Sequence, residues 1–135
     1  MRLLLAFAAA LVLAGAAASA TSRPPAIKYR DDRFGPILAT PKKQALYTWN
    51  VERRAGGKVR CTGACARAWP PLVVRSRAGI PGHVAGIRGA FGVVRRPDGR
   101  LQITFRGLPV YTYAHEGPTQ VLCDDVDGWF VVRLR

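Results

Sequence analysis

A seven-residue pattern occurs twice in this chain, and a repeated unit limits the possible folds more than any other feature of it. Leu46-Tyr47-Thr48-Trp49-Asn50-Val51-Glu52 is echoed, 64 residues on, by Val110-Tyr111-Thr112-Tyr113-Ala114-His115-Glu116. Both read aliphatic, Tyr, Thr, aromatic, two variable residues, Glu. Other landmarks recur at similar offsets: Phe34-Gly35 with Phe91-Gly92, 57 apart, and Trp69 with Trp129, 60 apart. Two copies of one supersecondary unit tend to share a core. The repeat therefore predicts one domain made of two pseudo-equivalent halves.

The local signals are those of short strands and turns. Leu101-Gln102-Ile103-Thr104-Phe105 alternates, placing Leu101, Ile103 and Phe105 on one face. Before it stands Arg96-Pro97-Asp98-Gly99, where Pro presets φ and Gly accepts a positive φ. Phe91 to Arg95 and Leu101 to Phe105 thus read as a hairpin. A turn at Arg106-Gly107 extends it into a strand over Leu108 to Ala114, and Trp129 to Leu134 reads as a last strand. In the first half, Gly35 to Thr40 is expected to pair with Ala45 to Val51. The prolines of Trp69-Pro70-Pro71-Leu72 bar that segment from a central ladder position. No window of helical length keeps a 3.6-residue period with caps. The expectation is an all-β domain of two antiparallel units, sandwich- or barrel-like. It spans residues 34–134, with repeats 34–74 and 90–134 joined by a Gly-rich linker, 75–89. Residues 21–33, polar and without periodicity, read as a flexible lead-in.

Residues 1–20 read as a signal peptide, removed on export. Arg2 is a short basic region, Leu3 to Ala14 is apolar, and Ala18-Ser19-Ala20 suits a signal peptidase. The apolar run is too short to span a bilayer comfortably. Ala16 stands where a lipoprotein would carry the lipid-accepting Cys, so a secreted or periplasmic chain without a lipid anchor is expected. The 21 basic and 8 acidic residues give a net charge of +13, which becomes +12 without Arg2. On an exported protein that balance favours anionic lipid, cell-wall polymer or an acidic protein as partner. No helix-turn-helix, zinc-finger or RNP pattern supports nucleic acid.

Strand periodicity would send Tyr47, Trp49 and Val51 to one face, with Tyr111, Tyr113 and His115 on the corresponding one. Leu46, Thr48, Asn50 and Glu52 would take the other face, as would Val110, Thr112, Ala114 and Glu116. Such aromatic rows fill a core, with the Tyr hydroxyls finding partners at its edge. Glu52 and Glu116 could also form a carboxylate pair for acid–base hydrolysis, if the fold brought them together with split pKa values. Cys61-Thr62-Gly63-Ala64-Cys65 predicts a local disulfide in an exported chain. Cys123 is then free or pairs between chains; a bridge from it to Cys61 or Cys65 is the alternative. Cys-x-x-x-Cys is neither a Cys-x-x-Cys redox pair nor a haem attachment site. A zinc site from the three cysteines and a histidine is a weaker reading. His83 falls in the linker and His115 in the second motif.

Taken together, Tyr-x-aromatic-x-x-acid twice, Cys-x-x-x-Cys followed by Trp-Pro-Pro-Leu, and Asp-Gly…Gln-Ile-Thr…Gly-x-Pro-x-Tyr resemble one bacterial family. It is the family of secreted repeats of unknown function, also described as predicted lipoproteins with a Tyr-x-(Phe/Trp/Tyr)-x-x-Asp motif. The resemblance runs from Phe34 to Val132, with Tyr47, Trp49, Glu52, Tyr111, Tyr113 and Glu116 at the motif positions. It implies an exported, β-rich protein of the cell envelope with no established activity. This chain departs from the pattern in carrying Glu at both acids, lacking the lipid-accepting Cys and adding Cys123. The function expected is a non-enzymatic envelope module that binds an anionic surface or partner and needs no cofactor or metal. The alternative is a periplasmic redox, metal or haem-handling protein using the cysteines and His115.

Overall fold

The computed structural model describes residues 11, 12, 14–16 and 23–135. The expected signal peptide thus lies almost wholly outside the described residues. Ten short elements follow: β1 Ile27–Asp31, β2 Gly35–Ala39, β3 Tyr47–Trp49, α1 Asn50–Arg54, α2 Ala64–Ala68, β4 Val73–Val74, β5 Phe91–Arg95, β6 Leu101–Phe105, β7 Leu108–Pro109 and β8 Trp129–Val131. Strands dominate and every pairing among them is antiparallel, in keeping with the all-β reading.

The expected hairpin β5–β6 forms, with Phe91 opposite Phe105 and Arg95 opposite Leu101. A second antiparallel hairpin is β1–β2, with Ile27 opposite Ala39. Strand β1 corrects the reading of 21–33 as a lead-in. Ile27, Tyr29 and Asp31 face inward while Lys28 and Arg30 are exposed, and Asp31 Oδ1 closes the turn by accepting from the N–H groups of Arg33 and Phe34 at 2.8 and 2.9 Å. The expected Gly35–Thr40 pairing survives as a bridge, Ala39 with Ala45, and a bond from Leu46 N to Leu38 O of 3.0 Å.

Two backbone circuits join the hairpins to the rest of the chain. Leu38 N donates to Val132 O (2.9 Å), Val132 N to Leu46 O (2.9 Å) and Leu46 N to Leu38 O (3.0 Å). In the second circuit Ile103 N donates to Leu72 O (2.8 Å), Leu72 N to Val110 O (3.1 Å) and Val110 N to Ile103 O (3.2 Å). Each hairpin is thus closed by a segment that follows the motif of the other half. The two circuits meet where Tyr47 and Tyr111 exchange both backbone bonds, 2.8 and 3.0 Å.

The strands form three antiparallel sheets, β1–β2, β3–β8 and β4–β6–β5 with β7 on β6, and neighbouring residues on them separate into two apolar clusters as a period of two requires. Leu38, Leu46, Val110 and Val132 enter an aliphatic cluster with Ile103 and Phe105. Ile37, Tyr47, Tyr111 and Val131 enter an aromatic cluster with Trp69 and Trp129. The segment 75–89 does more than link: Ile87 is buried in the aliphatic cluster, and Ile80 and Val84 pack against it.

The strands around the motifs are shorter than expected. Strand β3 ends at Trp49 and the chain turns into α1, so Val51 is helical. Two glycines at positive φ, Gly56 at 68° and Gly57 at 86°, stop the helix. Gly57 also lies so close to the Gly107 carbonyl that a side chain would collide with it. After Pro109 the second motif continues as isolated bridges, Tyr111 with Tyr47 and with Pro71, and no ladder runs to Ala114. Both turns carry the acids away from the face assigned to them. Glu52 and Glu116 swing to the aromatic side, because the two-residue alternation is lost before either is reached.

Candidate functional site

Tyr47 and Tyr111 lie side by side in the bridge, and each reaches across to the acid of the other motif. The Tyr47 hydroxyl donates to Glu116 Oε2 at 2.6 Å, and the Tyr111 hydroxyl donates to Glu52 Oε1 at 2.6 Å. All four side chains are buried, Tyr47, Tyr111 and Glu52 at 0% exposure and Glu116 at 6%. The same oxygens organise the following loops. Glu52 Oε1 also accepts from the backbone of Arg60 (2.9 Å) and Cys61 (3.1 Å), and Glu116 Oε2 from Leu122 (2.9 Å). Glu52 Oε2 and Glu116 Oε1 are buried without a partner.

Burial fixes the protonation chemistry. Desolvation, then the hydrogen bond to a carboxyl, pushes both phenols far above their ordinary range. Burial likewise raises Glu116, opposed by the bonds from Tyr47 and Leu122. The Cys123 thiol is raised by burial and by the nearby Glu116.

The aromatic residues of both motifs form one continuous stack with the two repeated tryptophans. Trp69 and Trp129 are parallel within 8° at 4.0 Å between centroids. Trp49 stacks on Trp129 at 5.2 Å, and Tyr113 packs against Trp69 at 4.7 Å with its ring tilted by 37°. Tyr111 meets Trp129 edge-on at 5.1 Å, and Tyr47 meets Trp69 edge-on at 5.2 Å. Each buried Trp removes roughly 150–250 Å² from water, about 4–6 kcal/mol as an upper bound. Trp49 and Tyr113 are half-buried and end the stack near the surface, where exposed His115 meets Tyr113 edge-on at 5.5 Å.

A buried cation escaped the sequence reading. Arg96, 2% exposed, donates from Nη2 to Cys61 O at 2.7 Å and from Nη1 to Gln102 Oε1 at 2.6 Å. Nη1 also stands 3.4 Å from the Tyr111 hydroxyl oxygen. Gln102 Nε2 then donates to Val110 O at 2.9 Å. Arg33, in the turn of the other hairpin, makes a comparable contact to Val121 O at 2.9 Å. An arginine in a turn ordinarily reads as solvated; only its place in both hairpin turns hinted otherwise.

Cys61 and Cys65 are joined as expected, with Cα atoms 5.2 Å apart, and Cys123 is a free, buried thiol. Among the described residues no three His, Cys, Asp or Glu side chains gather to hold a metal. The two histidines are exposed and the disulfide occupies two of the three thiols. Glu52 is engaged by Tyr111 and two backbone N–H groups and Glu116 by Tyr47 and one, and both side chains are buried.

On the opposite side of β3 and β8 lies a cleft of about 360 Å³. Its apolar surface comes from Phe105, Leu108, Phe130 and Val132, and its cationic rim from Arg53, Arg106 and Arg133. Arg106 lies over the Phe105 ring at 4.8 Å and donates to the carbonyls of Arg88 (2.8 Å) and Arg133 (3.1 Å). Arg133 pairs with Asp124 at 2.7 Å. Arg53 has no ion-pair partner among the described residues.

Comparison with known proteins bears out the resemblance over the first copy of the motif. Residues 28–73 match a family model described as a secreted repeat of unknown function. The match runs from β1 to β4 and takes in Tyr47, Trp49, Glu52, the disulfide and Trp69, so it covers the first copy of the motif. No curated protein and no solved structure matches the chain. The family's description fits an exported protein. No described helix is long and apolar enough to cross a membrane.

Proposed function

We propose that this chain is an exported, non-enzymatic β module of the cell envelope that docks on an anionic surface through its arginine-rimmed cleft. In this reading the domain is two copies of one unit about an approximate twofold axis between Tyr47 and Tyr111, each copy lending its last strand to the other. In this reading the strands lie between an aliphatic and an aromatic cluster. The motif residues Tyr47, Trp49, Glu52, Tyr111, Tyr113 and Glu116 then act as the lock between copies. Cleavage after Ala20 leaves the module soluble outside the membrane, without a lipid anchor.

One observation carries the binding half of the proposal: the motif's acids are turned inward while arginines ring the cleft outside. Arg106 is held by a ring and two carbonyls, so its remaining N–H groups are pre-organised for an oxyanion. Co-sedimentation with phosphatidylglycerol vesicles across a salt series tests this. Binding at low salt that fades as ionic strength rises is expected, with Arg53→Glu weakening it. No binding at low salt, or equal binding to neutral phosphatidylcholine, overturns it.

A further inference from the structure

The crossed tyrosines and the aromatic stack connect two buried carboxyls to a chain of rings that reaches the surface. Trp129 and Trp69, in van der Waals contact at the centre of the stack, each touch one buried tyrosine edge-on. Each tyrosine already points its phenolic hydrogen at a carboxyl oxygen 2.6 Å away. The outer ring Trp49 is half-buried, which gives an oxidant at the surface a first contact.

We propose that this assembly is a reversible one-electron store: a strong one-electron oxidant reaching Trp49 draws its electron, through Trp129 and Trp69, from Tyr111 or Tyr47. The electrons and protons balance within the protein. The oxidant gains one electron from the Trp49 indole. Trp129 refills Trp49, and Tyr111 refills Trp129. The oxidised Tyr111 phenol, a strong acid, passes its proton along the existing bond to Glu52 Oε1. What remains is a neutral tyrosyl radical beside a protonated Glu52, and a one-electron reductant reverses both transfers. The other branch runs through Trp69 to Tyr47, whose proton passes to Glu116 Oε2.

Two features suit this chemistry. In the resting protein burial holds both phenols protonated, so no tyrosinate is present to react in an uncontrolled way. The radicals would also form at side chains with 0% exposure, out of reach of solvent and of other radicals. The class of substrate is a one-electron oxidant strong enough to oxidise an indole, which an exported protein is placed to meet. This inference stands apart from the anion-binding reading and survives its failure.

The test uses the oxidised protein with Tyr29→Phe and Tyr113→Phe, so that Tyr47 and Tyr111 are the remaining tyrosines among the four. Photogenerated tris(bipyridine)ruthenium(III) is the oxidant, followed by transient absorption and electron paramagnetic resonance. A tryptophan radical that decays into a tyrosyl radical is expected, with the decay slowed in D2O because a proton moves with the electron. Adding Glu52→Gln and Glu116→Gln should abolish the tyrosyl radical and leave the tryptophan radical long-lived. A tyrosyl yield unchanged by these substitutions overturns the proposal, as does a tryptophan radical that never reaches tyrosine. If the carboxamide variant does not fold, the D2O comparison on the parent decides; equal rates in H2O and D2O refute the coupled transfer.

Discussion

Replacing Arg96 by Met should cost this fold more than any other single hairpin-turn substitution, because Arg96, although beside Pro97 in the turn, is buried. Methionine fills most of the volume of the arginine stem, so the loss is chiefly polar. Cys61 O and Gln102 Oε1 lose their donors at 2.7 and 2.6 Å while staying buried. A hydrogen bond from a charged group is worth about 1.5–3 kcal/mol, and leaving a buried neutral acceptor unpaired costs about 1–3 kcal/mol. The Asp98 contact adds little, at 3.8 Å with Asp98 46% exposed. With two such acceptors orphaned, Arg96→Met should lose about 3–5 kcal/mol, a large share of the ~5–15 kcal/mol typical of a domain. Arg96→Lys keeps the charge and one acceptor but loses the fork, and should lose about 1.5–3 kcal/mol. Urea unfolding followed by tryptophan fluorescence, with the disulfide intact, measures both. A loss below ~1 kcal/mol for Arg96→Met, or the same loss for both variants, would refute the network as drawn.

Three further outcomes follow from the same contacts. Burial raises Glu116 above the ordinary carboxyl range, so the folded state holds that proton more tightly than the unfolded chain. Its stabilising contribution is thus complete below the unfolded value of about 4.3 and is lost as pH rises through the raised one. Glu116→Gln should flatten that part of the stability–pH curve, and an unchanged slope would assign it to another group. Removing the disulfide, which spans four positions, by Cys61→Ala with Cys65→Ala should cost about 2 kcal/mol by loop entropy; no shift in the urea midpoint would contradict this. Gly57→Ala should cost about 2–3 kcal/mol, combining a positive φ with the collision at Gly107 O. Gly56→Ala, with open space around it, should cost about 1 kcal/mol, so equal losses would remove the close approach as the cause.

Local signals in the chain were legible where the chemistry is local. Pro97-Asp98-Gly99 and the alternation after it give the β5–β6 hairpin. The Cys61–Cys65 loop is equally local. The opposite faces of Leu46 and Tyr47, and of Val110 and Tyr111, follow from the two-residue period. The same rule failed for Glu52 and Glu116, because α1 and the turn after Tyr113 reset the direction of the side chains. Strand β1 was readable in Ile27-Lys28-Tyr29-Arg30-Asp31 and was masked by its polar composition and the prolines before it. Partner choice was not legible. The repeat shows that two Tyr and two Glu exist, but pairing within a copy and pairing across copies give identical sequences. Only the antiparallel bridge at Tyr47 and Tyr111 selects the crossed arrangement.

That crossing is the centre of the account, and four double-mutant cycles with Tyr→Phe and Glu→Gln measure it directly. Coupling of about 1–3 kcal/mol is expected for Tyr47 with Glu116 and for Tyr111 with Glu52, which are in contact. The within-motif pairs, Tyr47 with Glu52 and Tyr111 with Glu116, should stay within about 0.5 kcal/mol of additive. Coupling concentrated in the within-motif pairs, or spread evenly over all four, would contradict a fold locked by exchange between its two halves.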